Sequence, residues 1–142
     1  MSGLDDSELE KIKNRKLWDR MRSSVSGDDP KPQQSIDAPV DLTDANFDEF
    51  VKSHGLVIVD FWAEWCMPCR FMAPVVKDLA KEMAGRVVFA KLNVDENPRT
   101  AARFGIMSIP TFMVFRGGKP IDAIVGAMPK QKFKSMIERY LS

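Results

Sequence analysis

The stretch Glu64-Trp65-Cys66-Met67-Pro68-Cys69-Arg70 holds both cysteines of a 142-residue chain. Two cysteines separated by two residues fit a metal clip, a structural staple or a working redox pair. A zinc or iron–sulfur site usually takes four ligands, and this chain offers two cysteines and one histidine, His54. His54 lies in Ser53-His54-Gly55, which reads as a turn before a strand, so no metal is expected. The opening segment MSGLDDSELEKIKNRK begins acidic and lacks the apolar region of a secretory signal. That points to the cytoplasm, where thiols are kept reduced and a static staple would be out of place. These are marks against a staple and against a metal held by one chain, and they favour the redox reading.

A redox pair needs one activated sulfur and a second within reach. Leu56-Val57-Ile58-Val59-Asp60-Phe61-Trp62 is a nearly continuous β-branched and aromatic run, as expected of a strand buried on both faces. A helical pattern follows from Cys66, with Met72, Val75, Val76, Leu79 and Met83 on one side. Cys66 therefore opens a helix, where unpaired N–H groups and the positive dipole end favour thiolate over thiol. Cys69 lies three residues on, one turn along the same face, and can close a disulfide with little backbone movement. Pro68 stiffens the first turn, where its missing N–H costs little. The expected arrangement is an exposed attacking sulfur and a recessed resolving one.

The surrounding elements alternate. Val40-Asp41-Leu42 reads as a short strand, and Thr43 as the cap of a helix carrying Phe47, Phe50 and Val51. Gly85 ends the cysteine-bearing helix. Val87–Val94 is a second buried strand, and Asn97-Pro98 opens a short helix reaching Phe104. Thr111–Phe115 and Pro120–Val125 are strands joined by a tight turn at Gly117-Gly118. Pro129 opens a last helix with Phe133, Met136, Ile137, Tyr140 and Leu141. The order βαβαβαββα implies parallel pairing through crossover helices plus one antiparallel hairpin. The fold class is α/β, a mixed central sheet with helices on both faces.

Composition narrows the partners. Twenty-one basic and 20 acidic residues leave a net charge of +1, so no nucleic acid or anionic membrane surface is implied. No apolar run approaches the roughly 18 residues of a membrane span. Residues 1–38 differ from the rest. Ser7 and Glu10 form a capping box that predicts a helix over 8–22, and SSVSGDDPKPQQS then reads as a flexible linker. The apolar residues of that helix form no single stripe, so the segment reads first as a partly disordered extension; a docking helix for a partner, which would expose Trp18 and Met21, is the other reading.

Several separate motifs resemble the thioredoxin family. They are Val59-Asp60-Phe61-Trp62-Ala63-Glu64-Trp65-Cys66-x-Pro68-Cys69, Lys91-Leu92-Asn93-Val94-Asp95-Glu96-Asn97-Pro98, Phe104-Gly105-Ile106, Ile109-Pro110-Thr111 and Val125-Gly126-Ala127. The resemblance covers residues 39–142. It implies a thioredoxin-like fold and a protein-disulfide reductase, with Cys66 as nucleophile and Cys69 as resolving thiol. Asp60 would be the proton acceptor for Cys69; burial raises a carboxyl pKa toward the range where general base work is efficient. Lys91 would be a partner of Asp60 or an ordinary outward strand residue. Pro110 matches the family's cis-proline, leaving the Ile109 backbone free to pair with an extended client. Trp65, Met67, Pro68, Ile109, Gly126 and Ala127 would contact substrate around an exposed sulfur. Trp62 is expected in the core and Pro74 at a helix kink.

The resemblance also implies partners: disulfide-containing client proteins and a separate electron donor of the thioredoxin reductase type, with the chain itself a monomer. No cofactor is expected, since no G-x-G-x-x-G is present. Met67 stands where the commonest family motif has glycine, and Arg70 where lysine is common, which affects the redox potential. An oxidase or isomerase of the same fold, and a binding scaffold recruited through the extension, remain as alternatives.

Overall fold

A computed structural model describes residues 35–141. The predicted helix over 8–22 and its linker lie outside the described residues. In order, the elements are β1 (Val40–Leu42), α1 (Phe47–Lys52), β2 (Leu56–Trp62), α2 (Met67–Glu82), β3 (Val88–Asn93), α3 (Pro98–Arg103), β4 (Thr111–Arg116), β5 (Lys119–Val125) and α4 (Lys130–Glu138). A short 3-10 turn, Arg139–Leu141, follows.

The five strands form one sheet in the order β1-β3-β2-β4-β5. β1 and β2 each pair parallel with β3, while β4 is antiparallel to both β2 and β5. β2 is thus the central strand, and its side chains alternate between two cores. Leu56 and Ile58 face Met72, Val76 and Leu79 of α2 and Phe133 and Ile137 of α4. Val57, Val59 and Phe61 face Phe47 and Val51 of α1, with Phe104 packed alongside. The alternation puts Asp60 on the α2 face, the same side as Ile58, and there it lies among apolar neighbours.

Two caps differ from expectation. Thr43 does not cap α1 directly. Thr43 and Asn46 exchange side-chain hydrogen bonds across a turn, and Asn46 takes the cap position. Nor does the Asn97 side chain cap α3. Its Oδ1 accepts from the Asp44 amide at 2.9 Å, and the Asp44 carboxylate in turn accepts from the amides of Arg99 and Thr100 and from the Thr100 hydroxyl. A residue far away in sequence therefore satisfies the orphan donors of α3. These hydrogen bonds hold the Asp44 carboxyl below its ordinary range. Pro74 sits inside α2, which runs on through it. Gly117 and Gly118 both have positive φ, as the primed hairpin turn requires.

Phe47 centres an aromatic cluster, 5.4 Å from Phe115 and 5.5 Å from Phe104 between ring centroids. Arg103, ion-paired with Asp48, covers the Phe104 ring at 4.7 Å. Phe47→Ala is expected to lower stability by about 3–5 kcal/mol, measured by urea denaturation, because it empties a site with aromatic walls on several sides.

Candidate active site

β2 and α2 meet at the cysteines. Cys66 is the N-cap of α2 in extended conformation, and the helix proper begins at Met67. The Cys69 amide donates to Cys66 Sγ at 3.2 Å. A sulfur thus occupies the place a capping oxygen usually takes, and an unpaired helix N–H points at it. The two cysteines are joined by a disulfide, with Cα atoms 5.2 Å apart, inside the ordinary range.

Cys66 is not the exposed sulfur expected. Both cysteines are 3% exposed. The cover comes from the loop before β4, where the Ile109–Pro110 peptide is cis and the Ile109 carbonyl oxygen stands 3.8 Å from Cys66 Sγ. Neither backbone group of Ile109 has a backbone partner among the described residues. The Gly126 amide donates to the Pro110 carbonyl at 2.9 Å. Gly126 has φ +100°, and a Cβ there would meet nothing within 4 Å. Glycine is needed for backbone conformation, not for space.

Trp65 and Met67 flank the pair and are 68% and 69% exposed. The Trp65 ring is fixed all the same: its indole N–H donates to Asp95 at 2.8 Å. Asp95 is held in its turn by its own amide, which donates to Asn93 Oδ1. Pro68 and Ala127 are exposed, while Gly126 and Ile109 are partly covered. Asp95 belongs to a motif of the resemblance, but nothing in the sequence assigns it a role at the site. An acidic residue after a strand carries no signal that it will tether an aromatic ring 30 positions earlier.

Asp60 lies beneath Cys69, only 2% exposed. Its Oδ1 has no hydrogen-bond partner among the described residues. Asp60, Cys69, Trp62 and Lys91 line one cavity of about 50 Å³. Desolvation pushes the Asp60 carboxyl up to about 7, and the Lys91 charge pulls weakly the other way. Lys91 is the cross-strand neighbour of Asp60, but no ion pair joins them. Its ammonium lies 4.4 Å from the centroid of Trp62, a cation–π contact. Trp62 is only partly buried and packs beside the cysteines rather than deep in the core.

Residues 38–139 match the family model described as Thioredoxin. The chain belongs to the thioredoxin family. A thioredoxin of Alicyclobacillus acidocaldarius is 50% identical over 100 residues, which is 70% of this chain and 95% of that protein. A thioredoxin of Synechocystis sp. is 50% identical over 107 residues, covering 75% of this chain and 100% of its own length. Among solved structures, a mutant thioredoxin from Halobacterium salinarum superposes with a TM-score of 0.72 at 32% identity, over 78% of this chain and 96% of that one. The fold is thioredoxin-like, and with its Cys-x-x-Cys pair the chain is a thiol–disulfide oxidoreductase of the protein-disulfide reductase type.

The buried carboxyl ties stability to pH. Asp60 has an ordinary value of 3.8 and a folded value of about 7, so between those limits the folded state holds the extra proton. Stability from this group is therefore complete below pH 4 and declines as pH rises toward 7, by at most about 4 kcal/mol. Asp60→Asn should abolish that decline. Urea denaturation of both forms at pH 4, 6 and 8 would show the variant gaining on the parent as pH rises; parallel curves would contradict it.

Proposed function

We propose that the chain works in the reducing direction on protein disulfides, with Cys66 as nucleophile and Cys69 as resolving thiol. The observation that carries this reading is the Cys69 amide aimed at Cys66 Sγ. A helix N–H directed at the first sulfur stabilises its anion and leaves Cys69 protonated until it is needed. The Cys66 thiolate attacks one sulfur of a client disulfide, the client S–S bond breaks, and its second sulfur leaves as a thiolate. A mixed disulfide joins Cys66 to the client. Cys69 then gives its proton to Asp60, whose raised pKa suits it to accept at neutral pH. The Cys69 thiolate attacks Cys66 Sγ, the client departs with two electrons, and the chain keeps the Cys66–Cys69 disulfide. A separate protein of the thioredoxin reductase type returns the electrons.

Trp65, Met67, Pro68, Ile109, Gly126 and Ala127 form the surface that receives the client, with Pro110 orienting Ile109. The unpartnered Ile109 backbone supports pairing with an extended segment. Lys91 tunes Asp60 through space rather than by contact. Residues 39–142 are the working domain, acting as a monomer without a bound cofactor in the reducing cytoplasm. The relatives named thioredoxin support reduction over oxidation or isomerisation.

Cys69→Ser should trap clients as mixed disulfides that survive non-reducing gels and dissolve with dithiothreitol, while Cys66→Ser should trap none. Asp60→Asn should slow release of the mixed disulfide about 10- to 100-fold at pH 7, within the range a positioned base supplies. Equal trapping by both serine variants would rule the assignment out.

A further inference from the structure

Residues 35–141 contain seven methionines, and they fall into two groups. Met72 and Met83 are fully buried. Met128 and Met136 pack against the same core, and Met113 packs against the core on the other face of the sheet. The Met72 thioether also accepts from the Met128 amide at 3.4 Å. The remaining two, Met67 and Met107, are 69% and 92% exposed. Both lie by the disulfide. Met67 stands between the cysteines, at the first position of α2. Met107 is two residues before Ile109, whose carbonyl stands against Cys66 Sγ. Among the described residues, exposed thioethers are therefore confined to the surroundings of the cysteine pair.

Thiolates and thioethers are both open to two-electron oxidants, in the order set by nucleophilic character and exposure. In the dithiol form the Cys66 thiolate is the stronger nucleophile. In the disulfide form that nucleophile is gone, because the two sulfurs are bonded to each other and are 3% exposed. Met67 and Met107 are then the accessible sulfurs among the described residues. With hydrogen peroxide, the Met67 Sδ lone pair attacks one peroxide oxygen, the O–O bond breaks, and the other oxygen leaves as water. The thioether loses two electrons and the peroxide gains them. A flexible apolar side chain becomes a polar, chiral one. Glycine, which the commonest family motif carries at this position, would offer nothing to oxidise.

Resting on the client-docking reading above, we propose that Met67 is a reversible oxidation site for peroxides, reacting while the chain is held in its disulfide form, and that its sulfoxide weakens the hold on protein clients. A sulfoxide covered by a docked client loses hydration that a thioether never had. The reaction leaves Cys66 and Cys69 unchanged, so the loss falls on binding and not on the exchange step. An enzyme that reduces methionine sulfoxide, with two thiols giving the electrons and the oxygen leaving as water, restores the site. Position 67 thus records how long the chain has stayed oxidised in the presence of peroxide.

The test uses the full chain. Its disulfide and dithiol forms are each treated with hydrogen peroxide, catalase removes the excess, and dithiothreitol then opens disulfides while leaving sulfoxides in place. Peptide mass spectrometry locates the added oxygen. In the disulfide form, Met67 and Met107 should gain oxygen about tenfold faster than Met72 and Met83, since susceptibility follows exposure. In the dithiol form, Met67 should gain oxygen only after the cysteines have paired. The treated disulfide form, once reduced, should show a KM for insulin raised about fivefold with kcat nearly unchanged, as expected when an apolar contact becomes polar. In Met67→Leu, compared with its own untreated form, that rise should vanish. Met67→Gln, polar without any oxidant, should show a raised KM from the start. Oxygen reaching Met67 no faster than the buried methionines, an unchanged KM after oxidation, or a rise that persists in Met67→Leu would each overturn the proposal. Failure of the untreated chain to reduce insulin would strike at the reductase reading instead. Oxygen mapping needs no catalysis and would still decide whether Met67 is the oxidation site.

Discussion

An amide at the start of α2 points at the sulfur of Cys66, and most of the chain's architecture serves to keep it pointing there. The Cys69 N–H reaches Cys66 Sγ because Cys66 takes the cap position, with β2 ending just before it and α2 beginning just after. β2 is the middle strand of the sheet, held by β3 on one side and β4 on the other. α2 is clamped on the same sheet by Met72, Val76 and Leu79, and at its far end by Glu82, which pairs with Lys130 and Lys134 of α4. A strand locked at the centre and a helix locked along its length leave the junction little freedom. The sulfur's electrostatic environment is thus fixed by packing rather than by any one strong contact.

The same packing creates the second requirement. Alternation along β2 forces one residue in two toward α2, and at the level of Cys69 that residue is Asp60. A carboxyl there has lost its water and gained no hydrogen-bond donor for Oδ1. Its raised pKa follows directly. Lys91 sits next to it in register, yet its ammonium turns to the Trp62 ring. Full neutralisation by a salt bridge would have drawn Asp60 back toward an ordinary carboxylate. The through-space influence leaves it near neutrality, where it can exchange a proton.

Much of this was legible in the residues. The β-branched run at 56–62, the helical spacing after Cys66 and the Gly117-Gly118 turn each constrain their own neighbourhood, so local pattern was enough. The motifs at Asp60, Pro110 and Gly126 gave the site's membership through resemblance. What could not be read depends on residues far apart in sequence. Asp44 caps α3 across 55 or 56 positions, and Asp95 anchors Trp65 across 30. The cover over Cys66 comes from Ile109, 43 positions away. The spacing of two cysteines says nothing about what the rest of the chain lays over them. Lys91 shows the same limit. The residues left it either a partner of Asp60 or an ordinary outward lysine; its register and the competing aromatic face are matters of three-dimensional arrangement.

Covering both sulfurs has a consequence for the molecule in a crowded cell. Whatever approaches the disulfide meets a surface that is nearly closed at the two sulfurs. A macromolecule that matches the contour of the loop around Ile109 holds its own sulfur in place long enough for exchange. Access to the oxidised pair is thereby set by the chain laid over it, and not by the two cysteines alone.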